Sequence, residues 1–275
     1  MKILISISII IAFSIGAVFC QEEGASEEQS RESMAVDATA TQWSYQFAYE
    51  GFWNYKTDEI EPGVTRPEGR KGFFQFRWVA PIPKSDKMPI TLLPRLTLRV
   101  QQAADGDFGF GASDIFILGI INQWSSGRWG IGPQINFPAQ ESKFGNPNWA
   151  LGFAAAVTQR AWDDKLFFAF LVQQTWTKKD GKTKPSPLAL NPSFVIQLGK
   201  GWYTGNGDYV ISYDWDSNGW LIPLGVRVGK AFISEAKTWN AYLEYSTVAA
   251  HPGWKGPIPG NALRVNVQFQ IPFKR

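Results

Sequence analysis

The stretch Tyr209–Val228 reads YVISYDWDSNGWLIPLGVRV, two alternating runs joined by the turn-forming DSNG. Alternation of period two marks β-strands, and Asp, Ser, Asn and Gly are turn residues. Folded about that turn, Trp215 faces Trp220, and Tyr213 with Ile222, Ile211 with Leu224 and Tyr209 with Val226 follow on the same face. The opposite face carries Ser212, Asp214, Leu221, Pro223, Gly225 and Arg227. One face is thus aliphatic in the middle and aromatic at its end, and the other is small, polar or charged.

A second stretch, IINQWSSGRWGIGPQINF (Ile120–Phe137), has the same plan, with Trp124 and Trp129 bracketing the turn. Its Trp face is expected to continue as Ile120 with Pro133, Leu118 with Ile135 and Phe116 with Phe137, interrupted by Asn122. Arg128, Gly130, Gly132, Gln134 and Asn136 take the opposite face. Near the end of the chain, LRVNVQFQIPF (Leu263–Phe273) alternates bulky apolar residues with Arg264, Asn266, Gln268 and Gln270.

A transmembrane β-barrel requires this layout. Strands of about 10 residues present an apolar belt edged by aromatic girdles and keep their polar residues for the lumen. Trp and Tyr suit the edges because an apolar ring carries a group that seeks water. A soluble exported β-sandwich, its Trp pairs capping the core, is the alternative.

The whole composition is one of strands and turns, with 13 Trp, 20 Phe, 8 Tyr, 26 Gly and 17 Pro against 3 Met in 275 residues. From residue 41 onward about twelve strand-length segments follow, near 42–54, 72–80, 90–101, 110–124, 129–138, 148–160, 164–177, 188–198, 202–215, 220–232, 238–248 and 262–273. The expected fold is therefore all-β, an antiparallel transmembrane β-barrel of about 12 strands over residues 41–275. Closure removes the exposed edges that an open sheet of this size would leave. Long connections tend to alternate with short ones such as SSGR and GKG.

The first twenty residues, Lys2 followed by an apolar run and Val18-Phe19-Cys20, read as a cleaved signal peptide. Lipidation at Cys20 is disfavoured by the bulky Phe19. With Cys20 removed, no thiol chemistry remains. Residues 21–40 hold six acids against Arg31 alone and are expected to be a short disordered acidic segment, with a plug for a basic interior as the alternative. The chain as a whole carries +3, so the remainder is distinctly basic.

From GFGASDIFILGI through WGIGPQINFPAQ, ALGFAAAVTQR and FLVQQTW to PLGVRVGKAF, spanning about Phe110–Phe232, the chain resembles the bacterial outer-membrane family named after the MetA pathway of phenol degradation. Gly130, Gly132, Pro133 and Pro138 carry its most recognisable motif. The resemblance implies a Gram-negative outer-membrane barrel, a transporter of small and often aromatic or hydrophobic compounds. It implies no set of functional residues. Phe273 is followed by two basic residues, a departure from the aromatic strand end that the barrel-assembly machinery reads.

Catalysis has little to stand on. His251 is the only histidine and lies in a loop-like AAHPGWKG, with Gly253 where a phospholipase of the known barrel type would carry a Ser. No cluster has metal-ligand spacing, and no cofactor is expected. The Gly-rich FGFG and GWYTGNG precede no helix, which argues against a phosphate cradle. Nucleic-acid binding would need an external basic patch.

The arginines instead fall on predicted lumen faces. Arg77, Arg95, Arg99, Arg227 and Arg264, with Glu50, Asp214 and Glu244, are the candidate pore-lining charges; Trp124, Trp129, Trp215 and Trp220 are the candidate girdle. Lumen charges set selectivity in a pore, and this excess of basic groups favours anions. In a narrow barrel the same groups pair and fill the interior. The expected partners are outer-membrane lipid and a small-molecule solute. Passive or facilitated diffusion is the expected function, and a blocked barrel acting through its long loops is the competing one.

Overall fold

The computed structural model describes residues 29–272 except 38, 41, 180, 235 and 236. The expected signal peptide, the first part of the acidic segment and Phe273 lie outside the described residues. Twelve antiparallel strands form one closed sheet: β1 (Gln42–Trp53), β2 (Gly72–Val79), β3 (Leu92–Gln102), β4 (Ser113–Trp124), β5 (Gly127–Phe137), β6 (Ala150–Ala161), β7 (Leu166–Lys179), β8 (Leu188–Gly199), β9 in two halves (Trp202–Gly205 and Ile211–Asp214), β10 (Gly219–Ile233), β11 (Thr238–Ala250) and β12 (Asn261–Pro272). Each strand pairs with its sequence neighbours. The ring closes where β1 runs against β12 from Gln42↔Pro272 to Trp53↔Asn261.

Both ends of the barrel chain and most of the tight connections, such as Ser125–Ser126 and Lys200–Gly201, lie at one end, here termed the turn end. Residues 54–71, 103–112, 138–149, 180–187, 215–218 and 251–260 join strands at the other, the loop end. The loops pack on one another there. Arg66 is buried against Asp58 (2.6 Å) and donates to the carbonyls of Trp254 (2.7 Å) and Gly256 (2.9 Å).

The closing strands bear out the period-two reading. Val265 and Val267 on β12 and Phe47 and Tyr49 on β1 are exposed on the outer surface, whereas Arg264, Asn266, Ser44 and Gln46 are buried inside. Outward rings meet in tilted pairs across strands, with Tyr49 and Phe74 centroids 4.7 Å apart, Phe47 and Phe76 5.2 Å, and Trp43 and Trp78 5.8 Å. Exposed Trp residues cluster at both ends. Trp129, Trp162, Trp202 and Trp239 mark the turn end and Trp53, Trp149, Trp176 and Trp215 the loop end, an outward layout that suits two membrane interfaces.

The hairpin registers differ from expectation, with opposite consequences. In the β9–β10 hairpin Tyr213, not Trp215, lies opposite Trp220. That slip is even, so both faces are preserved. In the β4–β5 hairpin the turn has two residues, Trp124 pairs with Gly127, and a bulge at Ile121 brings Asn122 opposite Trp129. This slip is odd, and an odd slip turns a strand over. Phe116, Leu118 and Ile120 therefore point into the barrel instead of out, forming an apolar cluster with Leu93 and Ala154. The Gly-x-Gly-Pro motif serves this packing: a Cβ on Gly132 would sit 1.7 Å from the Ile117 carbonyl oxygen.

Of the acidic segment, residues 29–37, 39 and 40 are described: Arg31–Val36 form a short helix, α1, inside the turn end of the barrel, with Ser33 and Ala35 fully buried. Ser30 caps its start. Its last carbonyls, which no helix can satisfy internally, accept from wall amides. Gln42 donates to Met34 O (2.7 Å), and Asn240 (3.0 Å) and Gln270 (3.1 Å) both donate to Ala35 O.

Candidate functional site

The interior between α1 and the loops is crossed by a belt of charge. Arg264 on β12 donates to Glu50 on β1 at 2.9 Å, which ties the closing seam from inside. Arg99 on β3 pairs with Asp114 on β4 at 3.2 Å and with the Ala112 carbonyl at 2.9 Å. Arg77 on β2 donates to Gln46 at 3.1 Å.

At the centre stands Asp208, whose carboxylate Oδ2 lies 3.5 Å from both Arg77 and Arg264. It reaches there because β9 breaks. Residues 206–210 leave the wall and turn inward; Asn206 takes over the wall's backbone bonding, accepting from Phe194 N (2.7 Å) and donating to Pro192 O (2.6 Å). The Asp208 N–H donates to Glu244 Oε2 at 2.7 Å. Gly207 makes that approach feasible, since a Cβ there would lie 2.1 Å from Glu244 Oε1.

The sequence-derived residues therefore divide. Arg77, Arg99 and Arg264 join this carboxylate network, and Glu244 anchors the inward turn. Arg95 and Arg227 are also buried inside but form no ion pair among the described residues. Asp214 is not part of the belt: it caps the 215–218 turn, accepting from Ser217 Oγ at 2.6 Å. Its place is taken by Asp208, with Asp114 as a further acid, so five arginines face four carboxylates.

Trp215 stacks edge-on against Tyr213 and donates to Gln174 (3.0 Å), with Trp220 4.7 Å from the same Tyr ring, all at the loop end. Trp124 donates to Gln159 (2.9 Å) at the turn end, where Trp129 is exposed. His251 contacts Lys56 Nζ at 2.7 Å in an exposed loop. Among the described residues no group of three or more His, Cys, Asp or Glu could hold a metal ion.

Asp208 was signalled in the sequence only by GNGD inside a strand-length segment, since Gly within a strand marks a bulge or break. Arg128 keeps the polar face that the alternation assigns to it. It lies within the turn end, bonded to Asp37 Oδ2 (3.1 Å) and Thr39 O (3.1 Å), and so joins β5 to the segment following α1.

Between α1 and the inward turn of β9 lies a cavity of about 120 Å³. Leu93, Phe116, Leu118, Phe167 and Leu171 line one side; Gln42, Ser44, Gln46, Asn240 and Gln268 line the other. The interior is charged across its middle and holds α1 at its turn end.

These features define a porin-like outer-membrane β-barrel. No protein-family model matches the chain, and no curated protein matches it in sequence. Among solved structures it is similar to an outer membrane channel from Pseudomonas putida F1, at 12% identity over 90% of this chain and 100% of that one, with a TM-score of 0.58. The KdgM porin, solved with a disordered oligogalacturonate, matches at 12% identity over 84% and 99% with a TM-score of 0.46. The first likeness is one of fold.

Proposed function

We propose that this chain is a non-catalytic outer-membrane channel that admits small solutes by passive or facilitated diffusion, through a barrel whose turn end is closed at rest. The observation that carries this reading is the lumen itself: a closed wall, apolar outside, encloses a belt of five arginines and four carboxylates in which two arginines form no ion pair among the described residues. Lumen charge of this kind is what selects solutes in pores. A purely structural barrel would gain little from a buried arginine that contacts no carboxylate among the described residues.

In this reading the turn end faces the periplasm, the long loops face outward, residues 1–20 direct export and are then removed, and insertion uses the barrel-assembly machinery. The solute is small and aromatic, hydrophobic or anionic. Membership of the family named after the MetA pathway of phenol degradation rests on the order of the Gly-x-Gly-Pro, Trp-turn-Trp and PLGVRVGK segments.

One observation favours a blocked barrel instead, namely the bonding of residues 29–40 to β1, β5, β11 and β12. Planar-bilayer recordings of the full chain separate the two. Small step currents, increased when the Asp37 contact is removed, support a gated channel. Absence of ion flux at any voltage, in the native chain and in Asp37→Ala alike, would leave the blocked barrel.

A further inference from the structure

The cavity above α1 has two unlike walls and an unmatched charge. On the β11, β12 and β1 side the wall amides are committed: Gln42 and Asn240 hold α1, Gln46 donates to Asn266 (2.5 Å) and Gln268 to Ser44 (2.7 Å). The arginines above them are less so. The Arg95 side chain is more than nine-tenths buried, its Nε is unmatched, and it makes no hydrogen bond or ion pair among the described residues. Its guanidinium lies 4.0 Å above the Phe116 ring, and Asp114 and Asp208 act on it only at longer range. Arg227 lines the same cavity with one hydrogen bond, to Ser193 Oγ at 3.1 Å, while its Nε is unmatched. Asp208, the carboxylate in this chamber, is shared between Arg77 and Arg264.

A buried guanidinium without an anion is costly, and an Arg fork matches a carboxylate in geometry as well as charge. The opposite wall sets the rest of the ligand. Leu118, Phe167 and Leu171 leave an apolar face, and a volume of about 120 Å³ is of the same order as the roughly 150 Å³ engineered hole that takes up benzene. An inorganic anion would leave this face unused. A neutral ring would leave Arg95 unmatched. A sugar would strand its hydroxyls against Leu118 and Phe167.

We propose that this cavity binds a small monocarboxylate with a compact apolar body. Its carboxylate sits on Arg95, with Arg227 adding positive charge to the same chamber, and its body lies against Phe116, Leu118 and Leu171. This rests on the channel reading only in making the bound molecule the transported class; binding itself requires no conductance.

The test is calorimetric titration of the full chain in detergent with sodium benzoate, benzamide and sodium acetate as probes. Benzoate is expected to bind saturably at one site. Benzamide, lacking the charge, and acetate, lacking the body, should each bind about tenfold more weakly or worse, the scale of a charged hydrogen bond. Arg95→Gln should weaken benzoate and erase its advantage over benzamide. Ala169→Leu, which fills the apolar side, should weaken both rings alike. Retained heat-modifiable gel migration certifies that each variant is folded.

Equal affinity for benzoate and benzamide, benzoate binding unchanged in folded Arg95→Gln, or no benzoate binding by the native chain would each overturn the proposal, whatever the bilayer recordings give. Absence of ion flux with benzoate binding intact would overturn the channel reading and leave the site standing.

Discussion

Arg128 on the barrel wall and Asp37 in the segment after α1 pair at 3.1 Å with both side chains buried, so that a residue outside the barrel strands is fastened to the inside of the turn end. The same guanidinium holds Thr39 O and Gln29 Oε1, and Asp37 also receives the N–H of Thr39 at 2.7 Å. Removing one member of a buried pair costs about 3 kcal/mol because the other is left uncompensated. Asp37→Ala is therefore expected to loosen residues 29–40 and raise open probability severalfold in bilayers, with faster proteolysis of that segment. Unchanged currents and unchanged proteolysis would show that the pair does not hold the closure.

The seam between the first and last strands has its own internal tie. Glu50 and Arg264 are direct cross-strand partners on β1 and β12 and meet at 2.9 Å, with Arg264 buried. Glu50→Gln keeps the shape and removes the charge. It should destabilise the closed barrel by about 2 to 3 kcal/mol, read as a lower temperature of the folded-to-unfolded band shift on gels. Glu61→Gln, in an exposed loop pair with Lys255, should shift it little.

Asp208 should set the sign of selectivity. It shares its carboxylate between Arg77 and Arg264, and it enters the lumen only because β9 breaks at residues 206–210. Asp208→Asn leaves Arg77 without an acid and Arg264 with Glu50 alone, and makes the belt more basic. Reversal potentials under a salt gradient should move toward anion preference severalfold. A move toward cations would contradict this account of the belt.

How far the fold can be read from the residues depends on what each wall segment faces. On β1 and β12 the outer face meets an apolar surrounding and the inner face is Gln, Asn, Ser and Arg, so period two alone separates them. On β4 both faces are apolar because Phe116, Leu118 and Ile120 line an apolar patch inside, and alternation cannot tell inside from outside. The turn then decides, and a two-residue turn preceded by a bulge at Ile121 is not visible in INQWSSGR. Asp208 was missed because a broken strand and a continuous one share their flanking pattern. The acidic composition of the segment before β1 gives no sign of α1, whose last carbonyls are satisfied by Gln42, Asn240 and Gln270, most of them distant in sequence.

The loop end should respond to acid through Asp58. The hydrogen bond from Arg66, which approaches Asp58 at 2.6 and 3.0 Å, holds the Asp58 carboxyl at about 2, below its ordinary 3.8. A carboxylate lowered on folding stabilises the folded arrangement fully above its unfolded value and loses that contribution as pH falls toward the folded one. Docking of residues 54–71 on 251–260 should therefore be intact at pH 5 and above, and weaken between about 4 and 2. Arg66 also holds the Trp254 and Gly256 carbonyls, so Trp254 reports the event. Exchange of backbone amides in the two loops, followed by mass spectrometry and taken relative to the intrinsic exchange rate at each pH, should rise over that window in the native chain, and Asp58→Asn should already be less protected at pH 7 with little further change on acidification. Loop exchange with the same acid dependence in both proteins would show that another group governs the docking.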